Sequence, residues 1–97
     1  MTNGRREPAP FRIGVVADDL TGALDAGAGF AKAGMRVRVP LGPVGVPLPP
    51  HAIADADVIV INTASREGTA EDAHALARAA TLSLLRSGVT LLYKKVD

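Results

Sequence analysis

At 97 residues, 47% of them apolar and 22% charged, the chain is globular rather than disordered and makes one small domain at most. A net charge of +1 and 3% aromatic residues supply neither the field nor the stacking platforms of a nucleic-acid binder, and without cysteine there are no disulfides or thiolate metal sites. No apolar run reaches the roughly 18 residues of a membrane span. The Asp18-Asp19 pair interrupts the one candidate for a secretory leader, so a cytoplasmic protein is expected.

Residues 1–10 are polar, hold Pro8 and Pro10, and read as a flexible tail before a domain over 11–97. Arg12 to Ala17 is near-continuously apolar, as a parallel strand covered on both faces is. Leu20, Ala23, Leu24, Gly27, Phe30 and Ala31 then recur at helical spacing and predict a helix over Leu20–Ala33. Asp19 or Thr21 can cap its start, and Gly34 fits the position past its end. Gly27 and Gly29 each cost about 1 kcal/mol against alanine inside a helix, which predicts close packing on the sheet at both.

Arg36 to Leu41 alternates, with Val37, Val39 and Leu41 on one face, and predicts a strand near an edge. Pro40 to Pro50 holds five of the seven prolines, which excludes a central strand or a helix and leaves a surface connector. Asp57 to Asn62 is a third strand. Thr69 to Ser87 is the clearest helix, with a capping-box start at Thr69 and Asp72, an apolar stripe of Ala73, Leu76, Ala77, Ala80 and Leu84, and Gly88 to end it. Val89 to Tyr93 is a fourth strand. The pattern predicts an α/β fold, a mostly parallel sheet with flanking helices. Two substantial helices are few for such a sheet, and the chain stops in a charged stretch, so an incomplete N-terminal domain is expected.

Three polar groups follow three strands: Asp18-Asp19, Asn62 to Arg66, and Lys94-Lys95. In a parallel sheet all three fall at one edge, where open α/β sheets bind ligands. Two adjacent acids repel, which suggests a cation, a hydroxyl-rich ligand or proton chemistry. One of them is expected to cap the helix and the other to accept hydrogen bonds from substrate hydroxyls or act as a base. Thr21 sits where free backbone N–H groups favour an anion. Arg66 can hold a carboxylate in a bidentate pair, and Lys94 or Lys95 can neutralise an acid or phosphoryl group. Neighbouring strand residues face opposite ways, so one lysine is expected at the site. His51 and His74 look uninformative, no metal-ligand spacing is present, and neither GxxxxGK[ST] nor GxGxxG occurs.

Val16-Ala-Asp-Asp-Leu-Thr-Gly-Ala-Leu-Asp25, Ile61-Asn-Thr-Ala-Ser-Arg66 and Tyr93-Lys-Lys-Val-Asp97 together resemble the N-terminal domain of the four-carbon acid sugar kinases, which include threonate, erythronate and 3-oxo-tetronate kinases. The family pattern is an ADDLTGA-type turn, an NT-x-SR loop and a YKK-x-DSTLRGN stretch. The resemblance implies a sugar-acid substrate held by this domain and ATP held by a C-terminal domain; Mg2+ is expected because phosphoryl transfer from ATP generally uses it. Carried onto this sequence, Asp18 and Asp19 lie at the sugar-acid site, Arg66 binds the substrate carboxylate, and Lys94 or Lys95 with Asp97 opens the third motif. Ala64 stands where many relatives have an acid, which puts one substrate contact in question. Because the third motif breaks off at Asp97, the chain alone is expected to be inactive in phosphoryl transfer. The competing readings are a non-catalytic binding remnant and a receiver-like signalling module. The second is disfavoured because the third strand ends in Asn62 rather than an acceptor acid.

Overall fold

In the computed structural model, which describes residues 11–95, strands and helices run in the order β1 (Ile13–Ala17), α1 (Leu20–Lys32), β2 (Val37–Arg38), α2 (Pro50–Ile53), β3 (Val58–Asn62), α3 (Ala70–Arg86) and β4 (Leu91–Lys95). The expected tail over residues 1–10, and Asp97, lie outside the described residues. All strand pairs are parallel, and the sheet order is β2-β3-β1-β4. The α/β expectation therefore holds. A receiver-type sheet runs 2-1-3-4-5; here β3 lies between β2 and β1, so the signalling reading fails on topology as well as on Asn62.

The two central strands explain the unbroken apolar runs. Ile13, Val15 and Ala17 of β1 join Val58 and Val60 of β3 in a cluster with Ala23 of α1. Their neighbours Val16, Ile59 and Ile61 point the other way, into a cluster with Ala80 and Leu84 of α3. Each face of the sheet thus has one long helix, and every residue of β1 is buried. The edges are less covered: β2 is two residues long, and all five residues of β4 are exposed.

Three expectations change. The second strand shrinks from Arg36–Leu41 to Val37–Arg38, because Pro40 has no N–H for the ladder; Leu41 is left 83% exposed. The last strand shifts from Val89–Tyr93 to Leu91–Lys95, in register with β1 from Ile13↔Leu91 to Ala17↔Lys95, so both lysines lie within the strand. In α1 the buried face is Ala23 and Gly27 with Ala26 and Phe30 beside them, whereas Leu20 and Leu24 are exposed. The proline-rich connector also seeds a short helix, with Pro50 at its first position, where a missing N–H costs nothing.

Arg12 closes the end of the sheet away from the loops that follow β1 and β3. Its guanidinium donates to the carbonyls of Ala54, Ala56 and Ser87, at 3.1, 2.9 and 2.6 Å. These acceptors sit past the C-terminal ends of α2 and α3, where carbonyls lack helical partners and a cation is favoured.

The glycines separate by surroundings. A Cβ on Gly14 would stand 2.9 Å from Val89 Cγ1 and 3.0 Å from Leu84 Cδ1, and one on Gly27 3.4 Å from Val37 Cγ1. A Cβ on Gly29 would meet nothing within 4 Å, so the packing expected there is absent and nothing in the structure explains that glycine. The same substitution should therefore have opposite signs at two positions. Gly14→Ala is expected to destabilise by about 1–3 kcal/mol through overpacking. Gly29→Ala should stabilise by about 0.5–1 kcal/mol through helix propensity. Urea denaturation of both variants checks the pair.

Candidate functional site

The chain leaves the C-terminal ends of β1 and β3 towards opposite faces, into α1 and α3. Between two such neighbouring strands the sheet opens into a crevice. Here the two loops are also tied together. Thr63 donates its backbone N–H to the Ala17 carbonyl at 2.8 Å, and the Ser65 and Arg66 N–H groups both donate to the Asp18 carbonyl, at 3.0 and 3.1 Å. These bonds extend the parallel pairing past the strands and fix Asp18 beside Arg66.

The two acids have different surroundings. Asp19 is the helix cap: its Oδ1 accepts from the Gly22 N–H at 2.7 Å. Its Oδ2 accepts from Arg66 Nη1 at 2.5 Å. Asp18 makes no such cap, and its side chain enters the wall of a cavity of about 350 Å3. That cavity also has Thr63, Ser65, Arg66, His74 and Lys94 in its walls. Asp18 and Arg66 further border a neighbouring hollow of about 300 Å3 with Asp19, Asn62 and Glu67.

Strand alternation sorts the lysines. Lys94 pairs with Val16, whose side chain lies on the α3 face, and joins Asp18 in the larger cavity. Lys95 pairs with Ala17 on the α1 face and passes Gly22, where a Cβ would lie 3.6 Å from Lys95 Cγ. It adds a positive charge near Asp19. Thr21 is exposed in the first turn of α1 and is absent from both cavity walls. Asp97 lies outside the described residues. Among the described residues no group of three or more His, Asp or Glu side chains is placed to hold a metal ion.

The buried hydroxyls of Thr63 and Ser65 complete the wall. Thr63 Oγ1 donates to the Ala17 carbonyl at 3.1 Å and lies 2.8 Å from Ser65 Oγ. With the threonine proton engaged, Ser65 is the donor in that second contact, and its lone pairs remain as acceptors. The loop turns at Ala64, whose φ of +53° is unusual for alanine, and Asn62 Oδ1 accepts from its N–H at 2.9 Å. Asparagine or aspartate adopts this backbone more readily than alanine. His74, which carried no signal as a sequence position, stands on the cavity wall because α3 begins directly after this loop. It lies four residues after Ala70 and three before Ala77, both on the same wall.

Asp19 is held below the ordinary carboxylate value, first by the Gly22 N–H and then by the hydrogen bond and charge of Arg66. A depressed folded-state pKa contributes stability that is fully present above the unfolded value and is lost as pH falls through the folded one. Asp19→Asn keeps a cap acceptor but removes the charge. Its melting temperature should lie below that of the unsubstituted chain at neutral pH, and the gap should close in acid, below about pH 4. Thermal unfolding across pH 2–7 reads this; a gap that persists at the acid end contradicts the assignment.

The profile of the family described as "Sugar-binding N-terminal domain" matches residues 13–97. A D-threonate kinase of Bordetella bronchiseptica is 41% identical over 85 residues, which is 88% of this chain and 21% of that protein. A 3-oxo-tetronate kinase of Methylobacterium radiotolerans is 37% identical over 84 residues, covering 87% of this chain and 19% of its own. The chain thus spans about a fifth of the length of the relatives it matches. A solved domain of unknown function from Bordetella bronchiseptica, a domain-swapped dimer with bound citrate, superimposes with a TM-score of 0.73 at 40% identity, over 88% of this chain and 21% of that one. The three motifs, the parallel sheet and the matched residues agree: the chain belongs to the sugar-binding N-terminal domain family found in four-carbon acid sugar kinases.

Proposed function

We propose that the chain binds a four-carbon sugar acid of the threonate, erythronate or 3-oxo-tetronate class in the larger cavity. It would do so as the acid-binding part of a cytoplasmic ATP-dependent kinase whose nucleotide-binding part lies outside these 97 residues. One observation carries this reading: a carboxylate, a guanidinium and an ammonium (Asp18, Arg66 and Lys94) border a single cavity of about 350 Å3 at the strand ends. Cations for the acid end and acceptors for the hydroxyls are what such a ligand requires. The names of the kinase relatives support the substrate class. The citrate of the Bordetella relative is itself a hydroxy acid.

Arg66 receives the substrate carboxylate. Asp19, bonded to the same guanidinium, holds it in place, and Lys95 adds charge behind them. Lys94 supplies a second cation from the opposite face of β4. Asp18 and the Ser65 hydroxyl accept hydrogen bonds from the substrate hydroxyls. In such a kinase the substrate hydroxyl that takes the phosphoryl group would have to give up its proton. Asp18 is the carboxylate positioned to hold that proton. The described residues offer no metal-ligand group, and the sequence has no glycine-rich phosphate loop. The described residues thus do not fit Mg2+ or ATP.

Calorimetric titration tests the reading. D-Threonate or D-erythronate should bind measurably, and the uncharged polyol threitol should not. Arg66→Ala should weaken the acid by about 10–100-fold, the worth of a charge-assisted hydrogen bond. Acid binding that is absent, or unchanged in both Arg66→Ala and Lys94→Ala, overturns the proposal.

A further inference from the structure

The acid-binding cavity does not close at His74 and Lys94. Both side chains, with Val16 and Ala77, also line a second cavity of about 270 Å3 that runs on between α3 and β4. Its outer wall brings in Arg78 and Thr81 of α3. His74 and Arg78 stand one helical turn apart on the same face of α3, and Lys94 faces them from the sheet. No aspartate or glutamate lines this groove. Among the described residues no carboxylate forms an ion pair with Arg78 or Lys94.

Cations gathered in a groove without an acid repel one another, and an anion relieves that repulsion. The groove continues from the cavity already assigned to the acid, so a ligand anchored at Arg66 extends towards it. A phosphate monoester carries a charge of about −1.5 to −2 at neutral pH and several strong acceptor oxygens.

We infer that the groove between α3 and β4 seats a phosphoryl group: His74, Arg78 and Lys94 hold the phosphate of a phosphorylated four-carbon sugar acid, with Lys94 shared between acid and phosphate. The inference rests on the acid-binding reading above for the remainder of the ligand. It adds His74 and Arg78 as residues that distinguish the phosphorylated acid from its parent.

The test is calorimetry with three probes, the sugar acid, its phosphate monoester and inorganic phosphate, on the unsubstituted chain and on Arg78→Gln and His74→Gln. Both side chains are exposed, and thermal unfolding establishes that the variants remain folded. The monoester should bind about tenfold or more tighter than the acid. Arg78→Gln should remove most of that advantage while leaving the acid within about twofold, and His74→Gln should remove part of it. A monoester no tighter than the acid, or equal losses for both ligands in Arg78→Gln, overturns the inference even when Arg66-dependent acid binding stands. If the acid fails to bind while inorganic phosphate binds in an Arg78-dependent way, the acid-binding reading falls and the phosphate groove remains.

Discussion

The structure depends on the continuation of β1–β3 pairing beyond the strands themselves. The Ala17 carbonyl takes the Thr63 N–H, and the Asp18 carbonyl takes two more from Ser65 and Arg66. Three ladder-like bonds therefore hold together two loops that then depart to opposite faces of the sheet. Backbone donors and acceptors at such an edge need partners. By finding them in each other, these loops leave their side chains for a ligand. Asp18 and Arg66 are neighbours because their main chains are bonded, before any charge attraction between side chains is considered.

The same arrangement assigns the acids to separate tasks. Adjacent carboxylates would compete for one site if they pointed the same way. Asp19 turns to the start of α1, where the Gly22 N–H and Arg66 compensate its charge. Asp18 is left at the wall of the cavity, with the Ser65 hydroxyl nearby. Arg66 is thus both a structural partner of α1 and a candidate ligand contact, so the loop after β3 is braced on the helix after β1.

Most of the architecture was legible because its signals were periodic or local. Continuous apolar runs marked β1 and β3 as central, and the positions of Asp19, Thr69, Gly34 and Gly88 marked the helix ends. What misled was apolar content taken alone. Leu20, Leu24 and Leu41 were assigned inward faces and are exposed, because the side of a helix or strand that meets the sheet is fixed by tertiary register. The last strand was placed two residues early because Val89 is buried beneath α3 without belonging to the ladder. Convergence of Asp18, Arg66 and Lys94 could be anticipated from strand ends; the contribution of His74 could not, since it depends on how α3 lies over the sheet.

The position of β1 in the sheet has a consequence for the order in which the protein can be assembled. Among the described strands it is made first, yet both of its partners come later in the chain: β3 begins at Val58 and β4 at Leu91. As the polypeptide leaves the ribosome, Ile13-Gly14-Val15-Val16-Ala17 has no strand beside it until more than forty further residues have emerged. A fully buried strand of the finished molecule therefore spends a long time exposed during synthesis. Distant pairing of this kind folds slowly and leaves strand edges open to other chains. The acids that follow β1 place charge directly beside that run, where flanking charges discourage aggregation. Asp18 and Asp19 would thus guard the nascent chain before either has a partner in the folded one.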